Sequence, residues 1–257
     1  MKTTCECGHE IEYTRADVKN AHYVLCGDAT VITDVEKLMG GEKADMVFTD
    51  PPYGIDVETN YAEIHTSRDT TALGGGKQRS HTNYSKVIGD SGGFDFNCIP
   101  VICEMASEVF LWGADYYIDS VPNFGKDGSW IVWDKKPLGN MAEAIGNQFE
   151  LCWSKQKHKR LVIDYTYSGA YGMKPIDGHR VHPTQKPVAL SERAINNSSK
   201  VNQSVLDLFG GSGSTLIACE KLGRRCFMME IDCHYNDIII ARYEAFTGKK
   251  AVRIDGN

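Results

Sequence analysis

Four consecutive residues, Asp50-Pro51-Pro52-Tyr53, combine a carboxylate, two ring-constrained backbone units and an aromatic face. The two prolines lack N–H donors and have fixed φ, so the Pro51 carbonyl is held beside the Asp50 carboxylate. Two acceptors aimed at one point match the two N–H donors of an exocyclic amino group, and Tyr53 offers a surface on which a planar ring can stack. Such a set would grip an aminated base. A second set lies far along the chain, in Asp207-Leu-Phe209-Gly210-Gly211-Ser-Gly213-Ser-Thr215, where a glycine-rich loop opens a helix-like stretch. Glycines let the backbone approach a ligand closely, and Glu230, about 20 residues after Gly210 at the end of the next strand-like run, is spaced to accept both hydroxyls of a ribose. The third glycine of the dinucleotide fingerprint is missing, which argues against a nicotinamide cofactor and leaves another nucleoside-bearing one.

Both sets sit directly behind runs that read as strands, and the rest of the chain shows what must position them. Strand-like runs are 22–26, 44–49, 108–112, 129–133, 149–153, 204–209 and 225–231, with weaker ones at 160–163 and 251–254. Helix-like stretches are 34–39, 97–107, 188–200, 214–222 and 234–246, the last carrying Tyr235, Ile238, Ile239, Arg242 and Phe246 near one stripe. Alternation of this kind predicts an α/β fold with a mostly parallel sheet and helices on both faces. In such a sheet the loops at the carboxyl ends of the strands meet in one crevice. Residues 56–93 interrupt the pattern with Gly74-Gly75-Gly76 and few aliphatic side chains, so this stretch is expected to be a mobile lid carrying Lys77, Arg79 and Lys86 towards phosphates.

At 257 residues and 42% hydrophobic composition, the chain can bury a full core within one catalytic domain spanning 1–257. It has no long apolar run and no apolar signal core at its start, so a cytoplasmic protein without a membrane partner is expected. Nine scattered cysteines predict no disulfide framework. Cys5-Glu-Cys7-Gly-His9 offers half a zinc site, yet four ligands of suitable spacing are not evident and no metal is expected. The net charge of −6 argues against a generally basic nucleic-acid binder. Between Ser154 and Pro187, however, seven Lys and Arg stand against two Asp. Lys155, Lys157, Lys159, Arg160 and Arg180 in this segment are therefore expected to meet phosphates along one face.

Taken together, Leu25-Cys-Gly-Asp28, Asp50-Pro-Pro-Tyr53, His182-Pro-Thr-Gln-Lys-Pro187, Phe209-Gly-Gly-Ser-Gly213 and Met229-Glu-Ile-Asp232 resemble, in order, the motifs of the β group of S-adenosylmethionine-dependent DNA amino-methyltransferases. The resemblance covers roughly residues 20 to 255. It implies a Rossmann-like methyltransferase sheet, mostly parallel with a reversed last strand, and a circularly permuted motif order in which the catalytic tetrapeptide precedes the glycine loop. It also implies a bacterial or phage-encoded enzyme that acts on double-stranded DNA with the target base flipped out. A homodimer is compatible with it, since dimers are common in the family. Carried over by position, Asp50 and the Pro51 carbonyl would hold the target amino group, with Pro52 fixing the turn and Tyr53 stacking on the base. Gly210, Gly211 and Gly213 would line the methionine side of the cofactor, beside Asp207 and Phe209. Glu230 would hold the ribose, Asp28 the adenine, and Thr184, Gln185 and Lys186 the amino-acid end.

An aspartate heading the tetrapeptide leans towards N6 of adenine, with N4 of cytosine as the alternative and an RNA or protein amino group as a more distant one. Methylation at C5 of cytosine needs a cysteine nucleophile, usually behind a proline, and no Pro-Cys dipeptide occurs. Residues 155–181, where Tyr165, Tyr167 and Tyr171 interleave with cations, are expected to be a small target-recognition insertion, and residues 1–20 an N-terminal extension.

Overall fold

Met46-Val47-Phe48-Thr49 is buried along its whole length, with Val47 turned into one core layer and Met46 and Phe48 into the other. A strand covered on both faces must be apolar at consecutive positions, which is why its sequence reads as a continuous run rather than an alternation. The same holds for Glu108–Trp112, where Val109 and Leu111 face one layer and Phe110 and Trp112 the other.

A computed structural model describes residues 2–4, 10–12, 20–56, 84–124, 126–135, 147–165 and 181–252. In chain order the elements are β1 (Lys2–Thr4), β2 (Glu10–Glu12), β3 (Tyr23–Cys26), α1 (Ile32–Met39), β4 (Met46–Thr49), α2 (Cys98–Glu104), β5 (Glu108–Trp112), β6 (Ser129–Asp134), β7 (Phe149–Ser154), β8 (Leu161–Asp164), α3 (Val188–Ser198), β9 (Ser204–Asp207), α4 (Ser214–Leu222), β10 (Arg225–Glu230) and α5 (Cys233–Thr247). The short β1 and β2 pair antiparallel. The other eight strands form one sheet in the order β3-β10-β9-β4-β5-β7-β6-β8. Only β7 is reversed; it pairs antiparallel with both β5 and β6, whereas the remaining pairs are parallel. The expected mixed sheet is therefore present. Its reversed strand lies inside the sheet and mid-chain rather than near the carboxyl terminus, in keeping with a permuted order.

Helices cover both faces. Val35, Leu38 and Met39 of α1 join Ile99 and Ile102 of α2 in one core, while Leu190 and Ile195 of α3, Leu216 to Cys219 of α4 and Ile239 of α5 join the other. The α5 seam runs through Tyr235, Asn236 and Ile239 and excludes Phe246, which is exposed. Residues 251 and 252 form no strand.

Cys26 and Cys233 form a disulfide across the ends of β3 and α5. This departs from the expectation of fully reduced cysteines: two strand-end loops converge there, and sequence spacing does not reveal that proximity. Among the described residues, no helix is long and apolar enough to cross a membrane, and no cluster of His, Cys, Asp and Glu could hold a metal. Cys5, Cys7 and His9 lie outside the described residues.

Candidate active site

Because β3, β10, β9, β4 and β5 run the same way, the loops after them open on one end of the sheet, where they enclose a cavity of about 720 Å³. A volume of this size suits a nucleoside-sized ligand with a second planar group beside it. The tetrapeptide follows β4 and the glycine loop follows β9, its neighbour in the sheet. A buried hydrogen bond joins them: Thr49 Oγ1 donates to Asp207 Oδ1 at 2.9 Å, across 158 residues of chain. The Leu208 amide returns a bond to Thr49 Oγ1 at 3.2 Å. Burial pushes the Asp207 carboxyl up to about 6, against the hydrogen bonds it receives from Thr215, Thr49 and the Phe209 amide.

On the glycine-loop side, an added Cβ on Gly210 would stand 2.7 Å from Met228 Cγ, so only glycine lets the loop pass. Gly211 has φ +53°, a backbone state that favours glycine, and its amide donates to Glu230 Oε2 at 2.7 Å. Glu230 Oε1 accepts from the Asp232 amide at 3.0 Å. Burial raises the Glu230 carboxyl and those two amides oppose the rise. Asp28, Glu230 and the Gly210-Gly211 backbone all line the cavity. Gly213 does not; it starts α4 with φ +81° and faces Ile239.

Thr184, Gln185 and Lys186 also line the cavity. They belong to a turn in which the Gln185 amide donates to the His182 carbonyl and the Thr184 amide to His182 Nδ1, while Ser214 Oγ donates to the Lys186 carbonyl at 2.8 Å. His182 is buried against Tyr235, with ring centroids 4.4 Å apart. Its place in the sequence motif is visible; its packing beside the glycine loop is not.

On the tetrapeptide side, Tyr53 Oη donates to Asp50 Oδ1 at 2.5 Å, and Lys186 Nζ donates to Asp50 Oδ2. The Tyr53 ring stacks on Tyr116, with centroids 4.9 Å apart and planes 9° from parallel. It lies so close to the backbone that a Cβ on Gly113 would stand 2.1 Å from Tyr53 Cε1. The amides of Tyr53 and Gly54 donate to Asp90 Oδ1 at 3.2 and 3.0 Å. Asp90, only 5% exposed, thus fixes the tetrapeptide turn from within the stretch expected to be a lid. Phe94 packs edge-on against Phe209 at 5.6 Å. The described end of that stretch, 84–93, is accordingly packed on the site; 57–83, with Lys77 and Arg79, lies outside the described residues. Lys86 lines the mouth of the cavity, exposed and paired with Asp56.

Behind Asp50 stands a chain of half-buried charges that sequence alone does not bring together. Lys186 Nζ is 3.1 Å from Glu150 Oε2, and Glu150 Oε1 is 2.6 Å from Lys135 Nζ. Burial opposes ionisation of Glu150, but Lys186 and Lys135 outweigh it and hold that carboxyl at about 2. Burial also opposes charging of Lys186, yet Asp50 and Glu150 raise its basicity overall. For Asp50 burial prevails, with Lys186 pulling the carboxyl back and Glu150 pushing it further up.

The remaining cations are placed differently from expectation. Since β7 runs against its neighbours, the segment after Ser154 emerges at the opposite end of the sheet from the cavity, a strand length of about 15–20 Å away. Lys155 donates to the carbonyls of Cys103 and Ala106 near the end of α2, and Lys157 pairs loosely with Asp127. Lys159 and Arg160 are exposed on the same connection. None of these four lines the cavity, and Lys186 is neutralised inside it, so the described cations of this segment do not form one face with the crevice. Arg180, like Tyr167 and Tyr171, lies outside the described residues.

Comparison with known proteins points the same way. The N6/N4 DNA methylase family model matches residues 44–241. The type II methyltransferase M.HinfI of Haemophilus influenzae is 26% identical over 251 residues, covering 84% of this chain and 66% of that protein. M2.DpnII of Streptococcus pneumoniae is 44% identical over 64 residues, 25% of this chain and 24% of that protein. The chain thus spans less than two thirds of the length of these curated relatives. In fold it is similar to M1.HpyAVI, solved with S-adenosylmethionine (TM-score 0.53, 19% identity, 86% of this chain and 98% of that one). It is similar as well to the cytosine-N4-specific PvuII DNA methyltransferase (TM-score 0.51, 13% identity, 90% and 95%).

Proposed function

The chain belongs to the N6/N4 DNA methylase family, and from that premise we propose that it transfers a methyl group from S-adenosylmethionine to the exocyclic amino group of a flipped base in double-stranded DNA, N6 of adenine in particular. The observation that carries the proposal is the hydrogen-bonded junction of the two loops, which sets the Asp50 carboxylate and the Glu230–Gly211 pair on the walls of one cavity. The cofactor fits the residues present. Glu230 and Asp28 supply acceptors for a nucleoside, and Gly210 and Gly211 bring main chain to the cavity wall beside them.

When bound, the cofactor supplies an electrophilic methyl group on a sulfonium. This chain's own residues prepare the nitrogen that attacks it. In the free base the amino lone pair is delocalised into the ring; acceptance of its N–H bonds by Asp50 and the Pro51 carbonyl returns electron density to the nitrogen. The entering amino group would take over the Asp50 oxygen to which the Tyr53 hydroxyl donates, while Tyr53 and Tyr116 provide an aromatic wall for the ring. Asp50 serves as a fixed negative charge against the positive charge that develops at nitrogen. Extraction of the base costs a few kcal/mol, offset by stacking and hydrogen bonding in the pocket. The preference for adenine rests on aspartate as the first residue of the tetrapeptide.

The Asp50→Ala variant tests the reading: methyl transfer should be abolished while calorimetry still detects S-adenosylmethionine binding. Near-normal turnover would remove Asp50 from the reaction.

A further inference from the structure

A primary ammonium has three N–H donors, and Lys186 has three acceptor groups around it: Asp50 Oδ2, Glu150 Oε2 at 3.1 Å and Tyr53 Oη at 3.3 Å. The ammonium is only 10% exposed and lies over the rings of Trp112 at 5.4 Å and Tyr53 at 5.8 Å. Two hydrogen bonds, to Asp50 Oδ2 and Tyr53 Oη, and the ion pair with Glu150 all draw the ammonium to the base side of the cavity. The main chain is tied as well, through the Ser214 hydroxyl on the Lys186 carbonyl. Glu150 is anchored from behind by Lys135 at 2.6 Å, whose ammonium lies 5.1 Å from the Trp133 ring. Two half-buried carboxylates and two lysines alternate in a line that ends on the catalytic acceptor.

We propose that Lys186 is a positioning residue for Asp50, holding its carboxylate in the accepting orientation and in the charged form, and that Glu150 and Lys135 set the position of Lys186 in turn. The inference rests on the reading of Asp50 as acceptor of the target amino group and replaces the assignment of Lys186 to the cofactor. Without the ammonium, Asp50 would be a half-buried carboxyl under the influence of Glu150, Asp207, the Tyr53 and Tyr117 hydroxyls and the Cys152 thiol, with no cation in contact among the described residues. It would then retain its proton at higher pH and donate where it must accept. Loss of the Glu150 charge acts in the opposite sense, since Glu150 repels the Asp50 carboxylate.

The test is the pH dependence of initial methylation rate with saturating S-adenosylmethionine and unmethylated genomic DNA of mixed sequence, alongside the cofactor dissociation constant by calorimetry. On the acid limb the rate falls as Asp50 gains a proton. Lys186→Met should move that limb up by about one pH unit or more, a roughly tenfold loss at a pH on the limb. Lys186→Arg should keep the limb near its original place, and Glu150→Gln should move it down. Cofactor affinity should stay within about threefold in all three. The proposal is overturned if the limb does not move in Lys186→Met, or if lost cofactor affinity accounts for the whole loss of rate. Should Lys186→Met fail to fold, Lys186→Gln decides, and a limb that stays in place overturns the proposal. Failure of the underlying reading has a separate signature, an active Asp50→Ala enzyme.

Discussion

Gly113→Ala is a change of one methyl group on a residue that makes no proposed contact with a ligand, yet it should disable the base side of the site. Gly113 has φ +64°, and the added Cβ would lie 2.1, 2.3 and 2.6 Å from three atoms of the Tyr53 ring. The left-handed backbone costs a non-glycine residue about 1–2 kcal/mol. The overlap cannot be tolerated, so the ring must retreat by more than 1 Å to reach an ordinary contact distance. Retreat weakens the stack on Tyr116, worth about 0.5–1.5 kcal/mol. It also breaks the hydroxyl bond to the Asp50 carboxylate, worth about 1.5–3 kcal/mol for a charged acceptor. Urea denaturation should therefore show a loss of about 3–6 kcal/mol. Single-turnover methylation should fall by about 2- to 10-fold, the share of the weakened stack at a factor of ten per 1.4 kcal/mol, because the hydroxyl bond yields to the entering amino group in any case. Affinity for S-adenosylmethionine should change by less than about threefold, because Glu230 and the glycine loop are untouched. A variant with wild-type rate and stability would refute the role given to the Tyr53 ring.

Glu230→Ala should weaken cofactor binding by about 1–3 kcal/mol through loss of hydrogen bonds to the ribose; an unchanged dissociation constant by calorimetry would remove Glu230 from the site. The folded-state Glu150 carboxyl, held at about 2, lies below its ordinary value, so it contributes stability that is present above about pH 4.5 and lost as pH falls towards 2. The magnitude is about 3 kcal/mol at 1.36 kcal/mol per pKa unit. Denaturant titrations should show a smaller acid-induced loss in Glu150→Gln than in the parent, and identical pH profiles would contradict the ion-pair chain. Lys86→Ala should flatten the log–log salt dependence of DNA binding by about 0.9 per lost phosphate contact, whereas Lys157→Ala with Lys159→Ala should leave it unchanged. A flattened slope in the second variant would mean that DNA reaches the far end of the sheet.

The strands that position the site were legible because burial on both faces forces continuous apolar runs, as in Met46–Thr49 and Arg225–Glu230. The two loops were legible because their residue types have few other uses at strand ends. Direction was not legible. An apolar run is the same read either way along the sheet, so nothing in Phe149–Ser154 announces that it is reversed, or that the cations following it emerge at the end of the sheet away from the cavity. Partnership was equally hidden. Glu150 reads as a polar interruption of a strand, and Asp90 as one more polar residue in a stretch poor in aliphatics; each acquires its meaning only from what the fold brings opposite, Lys186 and Lys135 in one case and the Tyr53 and Gly54 amides in the other. Gly113 fell between a strand and an irregular turn, where a single glycine carries no signal until the Tyr53 ring is seen against it.

The most direct test of the central claim is to incubate the protein with unmethylated double-stranded DNA and methyl-labelled S-adenosylmethionine, digest the DNA to nucleosides and identify the labelled species by mass spectrometry. The account predicts label in N6-methyladenine, absent from the Asp50→Ala reaction. Label in N4-methylcytosine would overturn the choice of base while leaving the amino-transfer chemistry in place. Label at C5 of cytosine, or none in DNA from an enzyme that binds the cofactor, would contradict the account.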